Sequence, residues 1–412
     1  MRIMVLDEEF PYPTNTGKRT RSFNLYRRLA AQFQILYVAY GEGSSIAADA
    51  LRAAGIEAVG VPARVPSKHG PVFYLRLFAN LLSPLPYIVT SHSSAAYRDI
   101  VRASLVKFRP HLVLCEWTPY AIYAKALTSV RTLVSTHNVE ADIWQRYYEN
   151  ETDRLRRWYI GEQWRKVERF EREAVGWVDG ALTVSELDRD RLRQSRPDMP
   201  IAVIPNGVDL DYFRPMPQTQ SRQHLVFTGS MDWRPNQDAA RYFVAEILPL
   251  LRQARPDVEC TFVGRSPPPD IQALARVPGV HVTGTVDDVR PYVERAAVYV
   301  VPLRIGGGSR LKILEALAMG RAVVSTSVGA EGLDVEHDRH ILLADDPQGF
   351  AETVLRLLND PARCLALASE GRRLVEQSYG WDALAHKMAG FIQHISGTAS
   401  SSELDRASAP AA

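Results

Sequence analysis

Three glycines, two cations and a carboxylate fall within one short run, Gly306-Gly307-Gly308-Ser309-Arg310-Leu311-Lys312-Ile313-Leu314-Glu315. Glycines ahead of a helix let the backbone come close to a ligand, and the first-turn N–H groups of that helix face an anion. Arg310 and Lys312 add positive charge at the helix end where the dipole gains nothing from it. A phosphate or diphosphate held by Gly307, Gly308, Ser309, Arg310, Leu311 and Lys312 accounts for that placement. A tight turn with two solvated side chains is the plainer alternative. The run is not a Walker loop, since no Gly-Lys-Ser/Thr follows the glycines, and it lacks G-x-G-x-x-G spacing.

The elements that must position this run form a strand, loop, helix, strand unit. Val298-Tyr299-Val300-Val301 has the apolar, β-branched character of a strand buried on both faces, and Arg321 to Thr326 reads as the next strand. Between them Ser309 suits an N-cap, Leu311, Leu314 and Ala318 form an apolar stripe, and Gly320 suits a left-handed C-terminal cap. The alternation runs through the whole chain. Strands are expected at 2–7, 34–40, 57–61, 111–115, 131–136, 180–184 and 201–204. After Pro205-Asn206-Gly207-Val208-Asp209 and a polar, proline-bearing stretch, they resume at 224–228, 258–263, 280–283, 298–302, 322–326 and 340–343. This order predicts two α/β domains with parallel, doubly wound sheets and a ligand cleft between them. Their expected bounds are 1–205 and 224–380, joined by a linker over 206–223. A helix over 382–395 ends the fold, packing back on the first domain, and the small, polar stretch 397–412 is expected to be disordered.

Loops at the carboxyl ends of such strands bind ligands. The first runs from Glu8 to Lys18, holds Gly17 and enters a helix near Thr20. His137-Asn138 follows the strand ending at Thr136, as a hydrogen-bonded loop residue or as one reaching into a cleft. Gly229-Ser230-Met231-Asp232-Trp233-Arg234-Pro235-Asn236 precedes a helix over Gln237 to Leu251. Glu140 to Val175 mixes Trp144, Tyr147, Tyr148, Trp158 and Trp164 with nearly balanced charges, which fits a solvated helix pair with a buried aromatic stripe.

Composition narrows the function. Hydrophobic content of 46% with 23% charged residues is that of an ordinary soluble globular protein, and a net charge of +2 argues against a nucleic-acid surface. Cys115 and Cys260 fall in buried strands, far from Cys364, so a reduced, cytoplasmic protein is expected. The first strand begins almost at Met1, leaving no room for a signal peptide, and no apolar run reaches the length of a membrane span. Asp188-Arg189-Asp190 matches an Asp-x-Asp metal motif but lies in a helix after Ser185, where first-turn acids favour the dipole. His337 and His340, around Asp338 in an exposed loop, have no further ligands at zinc spacing.

The combination of two such domains with Ile204-Pro205-Asn206-Gly207-Val208-Asp209 ahead of Phe213, and with Leu314-Glu315-Ala316-Leu317-Ala318-Met319-Gly320 before Ala322-Val323-Val324, resembles the GT-B glycosyltransferases of family 4. The resemblance reaches to about Ile395 and is nearest to bacterial enzymes of exopolysaccharide or lipid-linked glycan assembly. It implies two Rossmann-like domains, transfer of a sugar from a nucleoside diphosphate donor with retention, and no metal or other cofactor. Glu315 matches the second Glu of the family's Glu, seven residues, Glu motif, which holds the donor ribose; the first falls on Gly307, a departure. His137 matches the family's histidine near the donor sugar and acceptor, and Gly17 the glycine loop approaching the diphosphate. After Gly229, where relatives carry an Arg and a later Lys, this chain reads Ser230-Met231-Asp232-Trp233-Arg234-Pro235-Asn236, so that charge is partly missing and Arg310 and Lys312 are the candidates to replace it. Thr285 and Val286 correspond to the backbone contacts with the base, and Glu331 lies on a loop facing the donor.

The expected catalytic group is His137, Arg310 and Lys312. Helix N–H groups and the two cations would stabilise the departing diphosphate, which takes the acceptor's proton. Partners implied are a nucleotide sugar, a saccharide or lipid-linked acceptor and the inner membrane surface, with no nucleic acid. A nucleotide-sugar epimerase and a non-catalytic nucleotide-sugar binding subunit are the rival classes. Over 71–83, Tyr74, Leu75, Phe78, Leu81 and Leu82 share a helix face, with Lys68, His69 and Arg76 nearby. Packing on the sheet is the favoured reading of that face, and contact with a lipid surface the alternative.

Overall fold

Each apolar run marked above becomes a strand in the computed structural model, which describes residues 1–63, 65–67, 70–216, 223–305 and 310–397. The chain divides into two compact units, Met1–Pro205 with Leu384–Ala412, and Asn206–Ala383. In the first, β1 (Arg2–Glu9), β2 (Gln34–Tyr40), β3 (Glu57–Val61), β4 (Leu112–Glu116), β5 (Arg131–Thr136), β6 (Gly180–Thr183) and β7 (Ile201–Val203) form one sheet in the order β3-β2-β1-β4-β5-β6-β7. In the second, β8 (His224–Thr228), β9 (Glu259–Val263), β10 (Val280–Val282), β11 (Val298–Val301), β12 (Val323–Ser325) and β13 (Leu342–Leu343) are ordered β10-β9-β8-β11-β12-β13. Every pairing is parallel. Both units are thus Rossmann-like.

The order sets where side chains can meet. β1 lies between β2 and β4, and β8 between β9 and β11, so the connections diverge there and leave a crevice at the carboxyl ends. Leu6 is in register with Cys115, which brings Asp7 and Glu8 out beside Glu116 and Trp117. Val226 is in register with Tyr299, which brings Gly229 out beside the segment after Val301. Val300, Val323 and Val324 are fully buried, as strands covered on both faces require.

Local chemistry shifts several boundaries. The first helix starts at Gly17, not near Thr20, because Thr16 caps it by accepting from the Arg19 N–H at 3.3 Å. The helix expected over 237–251 is Arg234–Tyr242, then a π turn over Phe243–Ile247, then Leu248–Ala254. Pro249, which has no N–H to donate, sits just past the widened turn. Glu140 to Val175 is the expected helix pair, Glu140–Asn150 and Arg154–Ala174 with Asp153 capping the second, but its aromatic stripe is not buried throughout, since Tyr147 and Trp158 are exposed. The largest departure is Pro71–Asn80. Its apolar face does not pack on the sheet: Tyr74 is 68%, Leu75 67%, Phe78 70% and Leu82 90% exposed. Asn80 holds this helix instead, accepting from Gln163 at 2.9 Å through its side chain and from Lys166 at 2.7 Å through its carbonyl.

Candidate functional site

In the second unit several of the expected site residues gather around the end of β8. The helix Leu311–Ala318 starts after Arg310, and Gly320, at φ 64°, follows it. From its first turn the Lys312 Nζ donates to Asn236 Oδ1 at 2.7 Å and lies 4.1 Å from the centre of the Phe227 ring. Asn236, in the first turn of Arg234–Tyr242, donates in turn to the Ser230 carbonyl at 2.8 Å. A Cβ on Gly229 would lie 2.8 Å from Lys312 Nζ and 2.7 Å from Asn236 Nδ2, so only glycine leaves both in place. Gly264 is packed more tightly, since a Cβ there would meet the Gly229 carbonyl oxygen at 1.8 Å. Burial pulls the Lys312 ammonium down to about 7, with Glu315 opposing and Arg310 assisting. Burial pushes the Glu315 carboxyl up to about 7, against the pull of Lys312.

Arg310 is buried and turned to the segment after β12: Nη2 meets Glu331 Oε2 at 3.2 Å and Nε donates to the Glu331 carbonyl at 3.3 Å. The structure therefore gathers Gly229, Ser230, Leu311, Lys312 and Glu315 in one cluster, and pairs Arg310 with Glu331 beside it. Thr285 is exposed and Val286 half-buried against the core, both beyond β10. Gly307, Gly308 and Ser309, with Lys68 and His69 of the first unit, lie outside the described residues, as do parts of the expected linker and tail.

The first unit holds a second cluster at its own crevice. Gly17 opens a helix whose Lys18 Nζ lies 2.6 Å from Asp7 Oδ1 and 2.8 Å from Glu8 Oε1. His137 follows β5 and places Nε2 3.1 Å from Glu116 Oε1, off the line of a good hydrogen bond. Glu116 also accepts from Tyr26, from Ser22 at 3.2 Å and from Ser135 at 3.4 Å. Burial lowers the His137 imidazole, with Glu116 opposing, so the ring is held towards its neutral form. Burial would raise Glu116, yet contact with His137, the Tyr26 hydroxyl and the Arg21 charge outweigh it and keep the carboxyl low.

Two family models cover most of the chain in succession: Glycosyltransferase Family 4 matches residues 17–212, and Glycosyl transferases group 1 matches residues 222–360. The chain belongs to the family 4 glycosyltransferases, with the GT-B fold. It is 25% identical over 422 aligned residues, 95% of this chain and 98% of the relative, to the GDP-mannose-dependent alpha-(1-6)-phosphatidylinositol monomannoside mannosyltransferase of Mycobacterium tuberculosis. Among solved structures, sucrose-phosphate synthase of Thermosynechococcus elongatus is similar at a TM-score of 0.70 and 18% identity, covering 97% of this chain and 100% of that one. Anabaena HepE in complex with UDP is similar at 0.66 and 14%, covering 96% and 100%.

In this glycosyltransferase the sequence reading missed Glu116, Lys18, Trp117 and Asn236. Glu116 and Trp117 end an apolar strand with a charge and an indole, and that change of type is the signal that could have found them. Asp188 stands in the first turn of the helix Glu186–Ser195, which Ser185 caps by accepting from the Asp188 N–H at 3.1 Å. His340 is buried, not exposed as expected, because its Nδ1 accepts from the Glu336 N–H at 3.0 Å; His337 Nδ1 accepts from Leu343. Among the described residues no three His, Cys, Asp or Glu are grouped to hold a metal ion, and no helix is long and apolar enough to cross a membrane.

Proposed function

We propose that this glycosyltransferase moves a hexosyl group, with retention and without a metal or other cofactor, from a nucleoside diphosphate sugar to a hydroxyl of a saccharide or lipid-linked acceptor. The observation that carries the reading is Lys312 Nζ set against Gly229 and Asn236, one helical turn from Glu315. A cation at a glycine of close approach suits the diphosphate, and a buried carboxylate suits the ribose hydroxyls. Lys312 stands at the glycine of a loop in which the expected positive charge is partly missing, and Arg310 adds a second positive charge at the same helix end.

The C1–O bond to the β-phosphate breaks and its electron pair leaves with the phosphate. The acceptor oxygen bonds to C1 on the same face, and its proton passes to a non-bridging β-phosphate oxygen. Lys312, Arg310 and the helix N–H groups offset the charge that develops on the leaving group. A neutral His137, with Glu116 beside it, orients the reacting hydroxyl.

Relatives named for phosphatidylinositol acceptors support a lipid-linked acceptor and a role in glycolipid or cell-surface polysaccharide assembly. The exposed apolar face of Pro71–Asn80, with Arg76 exposed on the same helix but off that face, supports contact with the anionic cytoplasmic face of a membrane. The test is a thermal-shift screen of UDP-, GDP-, ADP- and TDP-sugars, followed by transfer from the stabilising donor to membrane lipid extract. A donor that raises the melting temperature and labels the lipid supports the proposal. Product made from donor alone, without acceptor, would make the chain an epimerase.

A further inference from the structure

Trp117 holds a backbone conformation that glycine adopts freely and an aromatic residue does not, φ 125° and ψ 137°. It stands directly after β4, at the crevice of the first unit, next to the Glu116 that contacts His137. Its indole is fixed on several sides and stays partly exposed. Nε1 donates to Glu140 Oε1 at 2.8 Å, the His92 ring meets it edge-on at 5.1 Å, and Lys18 Nζ lies 5.4 Å from its centre. Strain that persists under so many constraints marks a side chain placed for use. A buried polar atom on the next residue, Thr118 Oγ1, has no hydrogen-bond partner.

Charge restricts what the indole could receive. Asp7 and Glu8 both pair with Lys18, Glu8 Oε2 also lies 3.4 Å from His92 Nε2, and Glu140 holds the indole. Three carboxyls share one ammonium, and burial raises Asp7 to about 7 and raises Glu140, so the surroundings offer hydrogen-bond acceptors to hydroxyls while Lys18 is already paired rather than left to a phosphate. We propose that Trp117 is the platform of the acceptor subsite, stacking on the C–H face of an uncharged polyhydroxylated ring, a sugar or cyclitol, with Glu8 and Glu140 reading its hydroxyls. The inference rests on the glycosyltransferase reading above and names the chemical class of the acceptor that the first unit would take.

The test uses ligand-observed NMR on the full chain with methyl α-mannoside, myo-inositol and mannose 6-phosphate, and donor thermal shift in parallel. Wild type binds one of the neutral rings at millimolar strength and mannose 6-phosphate more weakly. Trp117→Ala weakens the neutral ring about tenfold, Trp117→Phe keeps most of the affinity, and neither changes the donor shift. Glu8→Gln, which lowers the negative charge, narrows the gap between mannose 6-phosphate and the neutral ring. The proposal is overturned if wild type binds neither neutral ring, if mannose 6-phosphate binds more tightly, or if folded Trp117→Ala binds as wild type does. Loss of the donor shift in wild type would instead remove the glycosyltransferase reading, leaving the sugar arm as a separate result.

Discussion

Lys312 ties binding to protons. Burial holds its ammonium at about 7 and holds the neighbouring Glu315 carboxyl at about 7. A diphosphate against Nζ restores an ordinary lysine, with a pKa of about 10.4, so binding draws in a proton. At pH 8.5 Lys312 is almost wholly neutral before binding, and uptake approaches about one proton per donor. At pH 7.5 it takes up about 0.75, from which a Glu315 that ionises to accept the ribose hydroxyls subtracts about 0.25. Near pH 6 the sign reverses, since Lys312 is already charged and Glu315 releases about 0.9. Affinity accordingly falls about six- to eightfold between pH 7.5 and 8.5. The assay is calorimetry in buffers of different ionisation enthalpy, with the intact nucleotide sugar that gives the largest thermal shift, because its diphosphate has no group titrating in this range. Lys312→Met abolishes the uptake and weakens binding about ten- to a hundredfold. Tight binding by wild type at pH 8.5 with no proton uptake would refute the argument.

Arg310→Ala, which removes the partner of Glu331, is expected to weaken nucleotide-sugar binding by about tenfold with the fold intact; unchanged calorimetric affinity counts against it. EDTA is expected to leave transfer unaffected, and activity lost to the chelator and regained with magnesium or manganese would send the diphosphate to a metal. Glu116→Gln removes the carboxylate that opposes the effect of burial on His137, so NMR titration is expected to find the imidazole neutral to lower pH than in wild type. Sedimentation with anionic vesicles at low salt is expected to carry wild type down and to leave Phe78→Glu with Arg76→Glu in the supernatant; wild type remaining soluble refutes membrane contact.

The strands were legible because parallel sheets covered on both faces need continuous apolar runs, and Met4–Leu6, Leu112–Cys115 and Val298–Val301 are such runs. Helix termini were legible where the cap is local, as at Ser185 and Gly320. Failure came where an element's fate depends on what lies opposite. The face of Tyr74, Leu75 and Phe78 has the same spacing whether it packs on a sheet or meets solvent, and only the anchoring of Asn80 by Gln163 and Lys166 decides between them. The second cluster was hidden for a related reason. Glu116, Lys18 and His137 are far apart in the chain, and parallel register alone brings Asp7, Glu116 and Ser135 to one crevice. A carboxylate at a strand end is an unremarkable loop residue in a sequence, and becomes the centre of three hydroxyls and an imidazole once β1, β4 and β5 lie side by side. The same geometry sets Lys312 against Gly229. A lysine from the helix Leu311–Ala318 reaches the glycine because β8 and β11 are neighbours, so the helix that follows one strand brings its cation to the loop that follows the next.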